Sequence, residues 1–341
     1  MYLDPFRSVS SAISSFVPRE VVHVVQVKLH ASREKSTVHK YNNAVKKFQA
    51  WRSERAHIEA SQSEVLAFLA QLFVESNSVA TVQQTSSALK WYYRFFPGPN
   101  PAESIWIQAM LEGIRREGKL PEHRAKISET ELRLLAHWQV EDIKDRRILT
   151  LLAVLYAGCL RPSEGTSLRR CNVDLSIDKM VLSIVKDKTN KEGSARKVIV
   201  QAAPNRFCAV NLMSIWLQRA PNSPYVFPNL NESSRPMSYA VARQEWIRIA
   251  SKLGIPSNIT LHGSRGGAAT QAIADGAPVD EVMRHGRWKR VETLKAYVEA
   301  SEKTTPVAST LLKRMRLGPD VSSHDETGKA KDSVRRRENS N

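Results

Sequence analysis

The sequence lacks any apolar run near the roughly 18 to 20 residues that a membrane-crossing helix needs. Its N-terminus, "MYLDPFRSVSSAISSF", carries Asp4 and has no extended apolar centre, so a cleaved secretory leader is not expected. Cysteine is scarce. Cys159, Cys171 and Cys208 are the only three, an odd number without paired metal-ligand spacing. That excludes a disulfide framework or a zinc site and predicts reduced thiols behaving as small buried hydrophobes in an intracellular protein. Internal repeats and low-complexity blocks are also missing, which removes solenoid architectures.

Acidic side chains are the minority charge. Lys and Arg number 51 against 34 Asp and Glu, a formal net charge of +17. Such an excess steers polyanions toward the chain, and nucleic acid is the commonest polyanion inside a cell. An anionic membrane surface is the rival partner, but the basic residues are spread over several segments rather than gathered on one strongly amphipathic helix. With 341 residues, 42% hydrophobic and 25% charged, the chain is long enough for two domains with separate cores.

Hydrophobic spacing divides the sequence. Residues 1–34 show no clear period, although "REVVHVVQVKLH" suits a short helix or strand. From Thr37, Val38, Tyr41, Val45 and Phe48 recur at helical spacing. "SQSEVLAFLAQLFVES" follows, with Ser61 and Glu64 placed as a capping box, and then "SVATVQQTSSALKWYYRFF" and "AESIWIQAMLEGIRREG". Residues 35–117 are thus expected to form an all-α domain of about four helices.

The stretch 118–128, "GKLPEHRAKIS", has no apolar period and reads as a linker. Ser128 with Glu131 opens the next helix as a second capping box. Residues 129–316 mix elements: a buried helix ending around Gly158, two β-branched runs, "MVLSIV" and "RKVIV", joined by a polar turn as a hairpin, and helices at about 204–219, 238–253, 261–275, 278–284 and 291–300. The expected class is mainly α with a small β-sheet in the second domain. Residues 317–341 read as a disordered basic tail.

Four patches carry candidate chemistry. In "GCLRPSEGTSL", Arg161 follows a buried helix, where a rigid guanidinium fork can hold two phosphate oxygens or form a structural ion pair with Glu164. In "KDKTNK", Lys186, Lys188 and Lys191 sit on the hairpin turn, as a solvated charge run or as proton donors to a substrate. In "LHGSRGGAATQAI", His262 and Arg265 share a face at a helix start. There Gly263, Gly266 and Gly267 either let a phosphate backbone approach or serve close helix packing. In "HGRWKRVETLKAYVEAS", Trp288 and Tyr297 form an aromatic edge that belongs to a core or to a site.

Taken in order, these patches resemble the active-site set of the tyrosine recombinase or phage integrase family. The resemblance covers about residues 129–300, and the helical 35–117 region resembles the family's core-binding domain. "LRPSE" corresponds to the first arginine box, which makes Arg161 the first catalytic arginine and Glu164 a supporting carboxylate. "LHGSR" corresponds to the His-x-x-Arg box, His262 and Arg265. "GRWKRVETLKAYV" corresponds to the closing box, with Trp288 where many members have histidine, as in the Cre-like variants, and Tyr297 at the nucleophile position. The hairpin lysine matches best at Lys188, with Lys186 as the alternative. His285 lies too early for the position that Trp288 fills.

The resemblance implies a site-specific DNA recombinase that cleaves and rejoins strands through a 3′-phosphotyrosyl bond, without metal or nucleotide cofactor. It implies double-stranded DNA as partner, clamped between the two domains, and a homotetramer in the synaptic complex. There the last helix, with Leu311, Leu312 and Met315, packs into a neighbouring protomer or against its own domain. A type IB topoisomerase-like nicking and closing enzyme would use the same residues. A DNA-binding protein of the same fold without catalysis is the remaining alternative.

Overall fold

A computed structural model describes residues 7–53, 60–96, 98–117, 125–140, 142–185 and 195–295. The chain divides into two compact units, Met1–Glu122 and His123–Asn341. Tyr297, Lys186, Lys188, Lys191, the last expected helix and the basic tail lie outside the described residues.

The first unit contains α1 (Arg7–Ile13), α2 (Arg19–His30), α3 (Lys35–Ser53), α4 (Gln62–Ser76), α5 (Val79–Tyr93) and α6 (Ile105–Glu117). The ambiguous "REVVHVVQVKLH" is helical, and Val21, Val24 and Val27 are exposed on it. No strand is present among the described residues of this unit, so a β segment there would leave its backbone groups unpaired, whereas a helix pairs them internally. The α4 start is a capping box: Ser61 N–H donates to Glu64 Oε2 at 2.7 Å and Glu64 N–H to Ser61 Oγ at 3.1 Å. Asn77, at φ 45°, ends α4 in the left-handed conformation that Asn tolerates well. The apolar period seen in the sequence is the core: Val45 and Phe48 are fully buried, with Val38 and Tyr41 at its rim. Helix α5 packs on α3, α4 and α6 and contributes Val82, Leu89, Trp91 and Tyr92.

The second unit begins with α7 (Glu129–His137), whose start is the Ser128–Glu131 capping box. It continues with α8 (Ile143–Ala157), α9 (Pro162–Thr166), strands β1 (Val173–Leu175), β2 (Lys179–Ile184) and β3 (Arg196–Gln201), then α10 (Ala209–Arg219) and α11 (Tyr239–Lys252). Helices α12 (Gly263–Ala274), α13 (Val279–Gly286) and α14 (Val291–Lys295) complete the described part. Helix α8 is the central post, with Ile148 to Leu155 buried without interruption and α9, α10, α11 and α12 packed on it. The sheet is antiparallel in the order β1-β2-β3, with Met180 opposite Val200 and Leu182 opposite Val198, all four facing the core. Two indoles fasten loops to this core: Trp216 Nε1–H donates to Val226 O at 2.7 Å and Trp246 Nε1–H to Ile259 O at 2.8 Å.

The architecture is the expected one, mainly α with a small sheet, and details differ. The helix expected from about 204 starts at Ala209, because Asn205 Oδ1 accepts from Phe207 N–H and holds a turn after Pro204. Strand β1 and the short α9 were not anticipated: one is three residues long and the other five, too short to show a period. Cys159 and Cys208 are buried as expected, whereas Cys171 is exposed at the centre of the three-residue turn, Arg170–Asn172, that precedes β1. Ala125 and Ile127, within the interval expected to be linker, pack into the core of the second unit.

Candidate active site

The first arginine is set by the end of α8. Gly158 caps that helix, and a Cβ there would lie 3.0 Å from Val154 O. Cys159 follows at φ 45°, a left-handed conformation that turns the chain back, and Leu160 N–H then donates to Leu155 O at 2.9 Å. Arg161 is thereby the N-cap of α9, with Pro162 at the first helical position where its missing N–H costs nothing. Glu164 accepts from the Arg161 backbone N–H at 2.8 Å and from Arg161 Nη1 at 2.7 Å. Gly165 lets α9 lie on α8, since a Cβ there would come within 2.6 Å of Leu155.

His262 and Arg265 come from the start of α12, as the N-cap and the third residue of the first turn. Gly263 and Gly267 do not face an open groove. A Cβ at Gly263 would meet Ala125 O at 2.5 Å, and one at Gly267 would meet Ile127 O at 2.2 Å. They serve close packing of α12 against the backbone of residues 125–127, the second of the two readings that the sequence left open for them. The seating pushes Arg265 inward, where it is 1% exposed. Its Nη1 donates to Cys159 O and its Nη2 to Gly286 O at 2.6 Å.

Trp288 lies under that guanidinium, with Arg265 Cζ 4.0 Å from the ring centroid. Gly286 makes room for the indole, because a Cβ there would fall 1.7 Å from the ring. Trp288 is buried in a small apolar cluster with Cys159, Ala269, Val282 and Leu294. Leu294 belongs to α14, so the indole braces the short helix that leads toward Tyr297. His285, rejected as a catalytic candidate, pairs its Nε2 with Ala157 O at 2.8 Å, which requires the tautomer with a proton on Nε2 and ties α13 to α8.

Sequence reasoning missed Arg287. It caps α13 at φ 62°, is 5% exposed, and donates from Nη2 to Glu164 Oε2 at 2.7 Å. The signal was present as a charge between Gly286 and Trp288 in the closing box. Its burial was not visible, because charges at helix ends usually face water.

Among the described residues, the cluster sets three guanidiniums, Arg161, Arg265 and Arg287, around one carboxylate, Glu164. Burial, and then the charges of Arg161 and Arg287, pull Arg265 down to about 10, so it still carries its charge near neutrality. Arg161 remains 21% exposed, while Glu164 is 3% exposed. Among the described residues the cluster therefore holds more positive than negative charge, with the Arg161 guanidinium partly exposed. A groove of about 400 Å³ runs from Glu164 to Ser183, Ile184 and Val185, at the end of β2 just before the two candidate lysines. Among the described residues no group of three or more His, Cys, Asp or Glu could hold a metal ion.

Residues 126–304 match the model of the phage integrase family, and residues 24–99 match that of the phage integrase N-terminal SAM-like domain. The chain belongs to the phage integrase (tyrosine recombinase) family. Among solved structures, this integrase is similar to the XerH site-specific recombinase bound to a palindromic difH substrate in a post-cleavage complex. The two are 16% identical with a TM-score of 0.61, covering 81% of this chain and 79% of that one. It is also similar to the Tn1549 transposon integrase in complex with circular intermediate DNA, 13% identical, TM-score 0.61, covering 85% and 97%. A lambda integrase dimer bound to a COC′ core site is 13% identical with a TM-score of 0.54, covering 86% and 81%. At such identities the likeness speaks for the fold. No curated protein matches the integrase chain. No described helix of it is long and apolar enough to cross a membrane.

Proposed function

We propose that this integrase is a site-specific DNA recombinase that breaks and rejoins duplex strands through a covalent bond to Tyr297. One observation carries the reading: Arg161 and Arg287, far apart in sequence, both bond the buried Glu164 carboxylate, and Arg265 lies close enough to feel the charges of all three. A phosphodiester under attack gains negative charge on its non-bridging oxygens, and fixed cations aimed there lower the barrier most. Arg161 offers its exposed face to the phosphate. Arg265, with both terminal nitrogens donating to carbonyls, contributes its charge at close range.

In the proposed step the Tyr297 oxygen bonds to phosphorus as the bond to the 5′ oxygen breaks, and Lys188 (or Lys186) protonates that leaving oxygen. His262 assists proton movement or bonds to the phosphate. A free phenol has a pKa of about 10, so the neighbouring cations also favour its ionisation during attack. Attack by the 5′-hydroxyl of a second strand releases the tyrosine. Phosphodiester energy is held in the phosphotyrosyl bond, so rejoining draws on no external energy source. Trp288 cannot exchange protons at neutral pH and acts here as a brace. Double-stranded DNA is the substrate, gripped through its phosphates by the basic chain, and strand exchange between two sites calls for a tetramer.

The test is a denaturing gel of protein incubated with nicked duplexes of randomised sequence, in which cleavage traps the adduct. The wild-type protein should form the adduct. Tyr297→Phe should form none while binding DNA within about threefold of wild type, because only the nucleophilic oxygen is removed. An adduct that persists in Tyr297→Phe sinks the assignment.

A further inference from the structure

Residues 168–170 lie antiparallel to residues 224–226: Arg170 N–H donates to Pro224 O at 2.9 Å, and Val226 N–H donates to Leu168 O at 2.8 Å. Those bonds bracket Arg169 and Tyr225, which face each other as an isolated bridge pair. In such a pair the two side chains stand close together on one face, and the Arg169 guanidinium carbon lies 5.6 Å from the centroid of the Tyr225 ring. Fastening the two segments does not call on that guanidinium. The backbone bonds do it, helped by Arg170, whose Nη2 donates to Pro221 O at 3.0 Å.

We propose that Arg169, held on the Tyr225 ring, is a DNA-backbone contact of this integrase, donating to a non-bridging oxygen of a phosphate that does not itself react. The inference rests on the proposed recombinase function for its substrate class. Both side chains line the groove of about 400 Å³ that runs from Glu164 to the end of β2. Arg169 is exposed, and among the described residues it pairs with no carboxylate and the Tyr225 hydroxyl has no hydrogen-bond partner. Asn172 and Ser183 add donors to the same wall, and the one carboxylate among its described residues, Glu164, is taken by Arg161 and Arg287. A stacked guanidinium keeps its N–H edge in a fixed plane, which suits the paired oxygens of a phosphate better than a mobile ammonium does.

Arg169 differs in kind from Arg265, which is buried and bonded to carbonyls. An exposed cation on a phosphate that does not react grips the ground state and the transition state alike, so it contributes affinity and leaves the rate of the bound complex unchanged. The turn Arg170–Asn172 supplies a probe of the same groove. Cys171 is its central residue, exposed and lining the groove two positions from Arg169, while Cys159 and Cys208 are buried. A strand seated on Arg169 would cover that thiol.

The experiment measures affinity for duplexes of random sequence across about 50 to 200 mM salt, and adduct formation at saturating nicked duplex. It compares the wild-type protein, Arg169→Gln, Arg169→Lys and Arg133→Gln, the last an exposed arginine of α7 paired with Glu129. Arg169→Gln should bind about tenfold more weakly near 0.1 M salt, and its slope of log affinity against log salt should be shallower by about one, the signature of one lost phosphate contact. Once saturated with DNA it should form the adduct within about threefold of the wild-type rate. Arg169→Lys, which keeps the charge, should keep the slope, and Arg133→Gln should match the wild type. On the wild-type protein, which depends on no variant folding, excess duplex at low salt should slow alkylation of Cys171 by iodoacetamide about tenfold. A wild-type slope in Arg169→Gln, an equal change in Arg133→Gln, a saturated complex that cleaves far more slowly, or Cys171 labelled as fast with DNA as without it overturns the inference and leaves the recombinase reading standing. No adduct from the wild-type protein overturns the recombinase reading, and a shallower slope in Arg169→Gln then keeps Arg169 as a contact of a DNA-binding protein.

Discussion

The Arg265 guanidinium lies against the face of the Trp288 indole, 4.0 Å from its centroid, with the same arginine bonded to the Gly286 carbonyl two residues before that ring. Each locates the other. Without the indole beneath it the buried cation would lose a cation-π contact worth up to about 2 kcal/mol when desolvated. Without the cation the closing box would keep only its apolar packing on Ala268 and Ala269 of α12. In the proposed assignment, which puts Trp288 where an acid-base side chain is the commoner occupant, its role is to hold Arg265 and to pack on Leu294 of α14.

Arg161→Ala and Arg265→Ala should each slow cleavage by about 100-fold or more, the usual cost of removing a group that stabilises transition-state charge. DNA affinity should fall far less. The comparison is single-turnover cleavage against equilibrium binding, and equal losses in both would reduce these arginines to backbone grips.

Lys188→Ala should be slow on an ordinary phosphodiester and recover on a substrate whose leaving group needs no proton, such as a 5′-bridging phosphorothiolate. Rescue of Lys186→Ala instead, with none for Lys188→Ala, transfers the general-acid role to Lys186.

Gly267→Ala should destabilise the second unit by about 1–3 kcal/mol or more, since its Cβ would meet the Ile127 carbonyl oxygen at 2.2 Å and backbone cannot swing aside. Gly113→Ala, in α6 with no atom within 4 Å of the added Cβ, should be neutral or stabilising by up to about 1 kcal/mol. Denaturant unfolding of the two variants reads the contrast, and equal midpoints would contradict the packing role.

Of the three thiols, Cys171 should react rapidly with a thiol reagent at pH 8, and Cys159 and Cys208 only on unfolding. Burial pushes the Cys159 thiol up to about 11 from an ordinary value of 9.0, outweighing the pull of Arg265 and Arg287. The folded state therefore holds that proton more tightly than the unfolded one. Its contribution to stability is complete below about pH 9 and is lost as pH rises toward about 11. Cys159→Ala should remove this part of the alkaline decline in a thermal melt, and an unchanged decline would show that burial of the thiol has no part in it.

Much of the architecture was legible because it depends on residues within a turn or two of one another. Val45 and Phe48 announce the buried face of α3, and the boxes Ser61–Glu64 and Ser128–Glu131 mark helix starts by bonds that span three residues. Arg161, His262, Arg265, Trp288 and Tyr297 were readable as candidates through their ordered resemblance to the family's active-site set, and the variants proposed above test the roles of Arg161, Arg265 and Tyr297. By itself, then, the sequence determined the mainly helical class, the small hairpin sheet and the identity of the candidate residues. Only the tertiary structure decided that Gly263 and Gly267 press on the 125–127 backbone, that Cys171 stays in water, and that Arg287 turns inward to Glu164. Spacing along a chain reports local geometry, whereas the burial of a glycine, a thiol or a guanidinium depends on which distant element comes to lie against it.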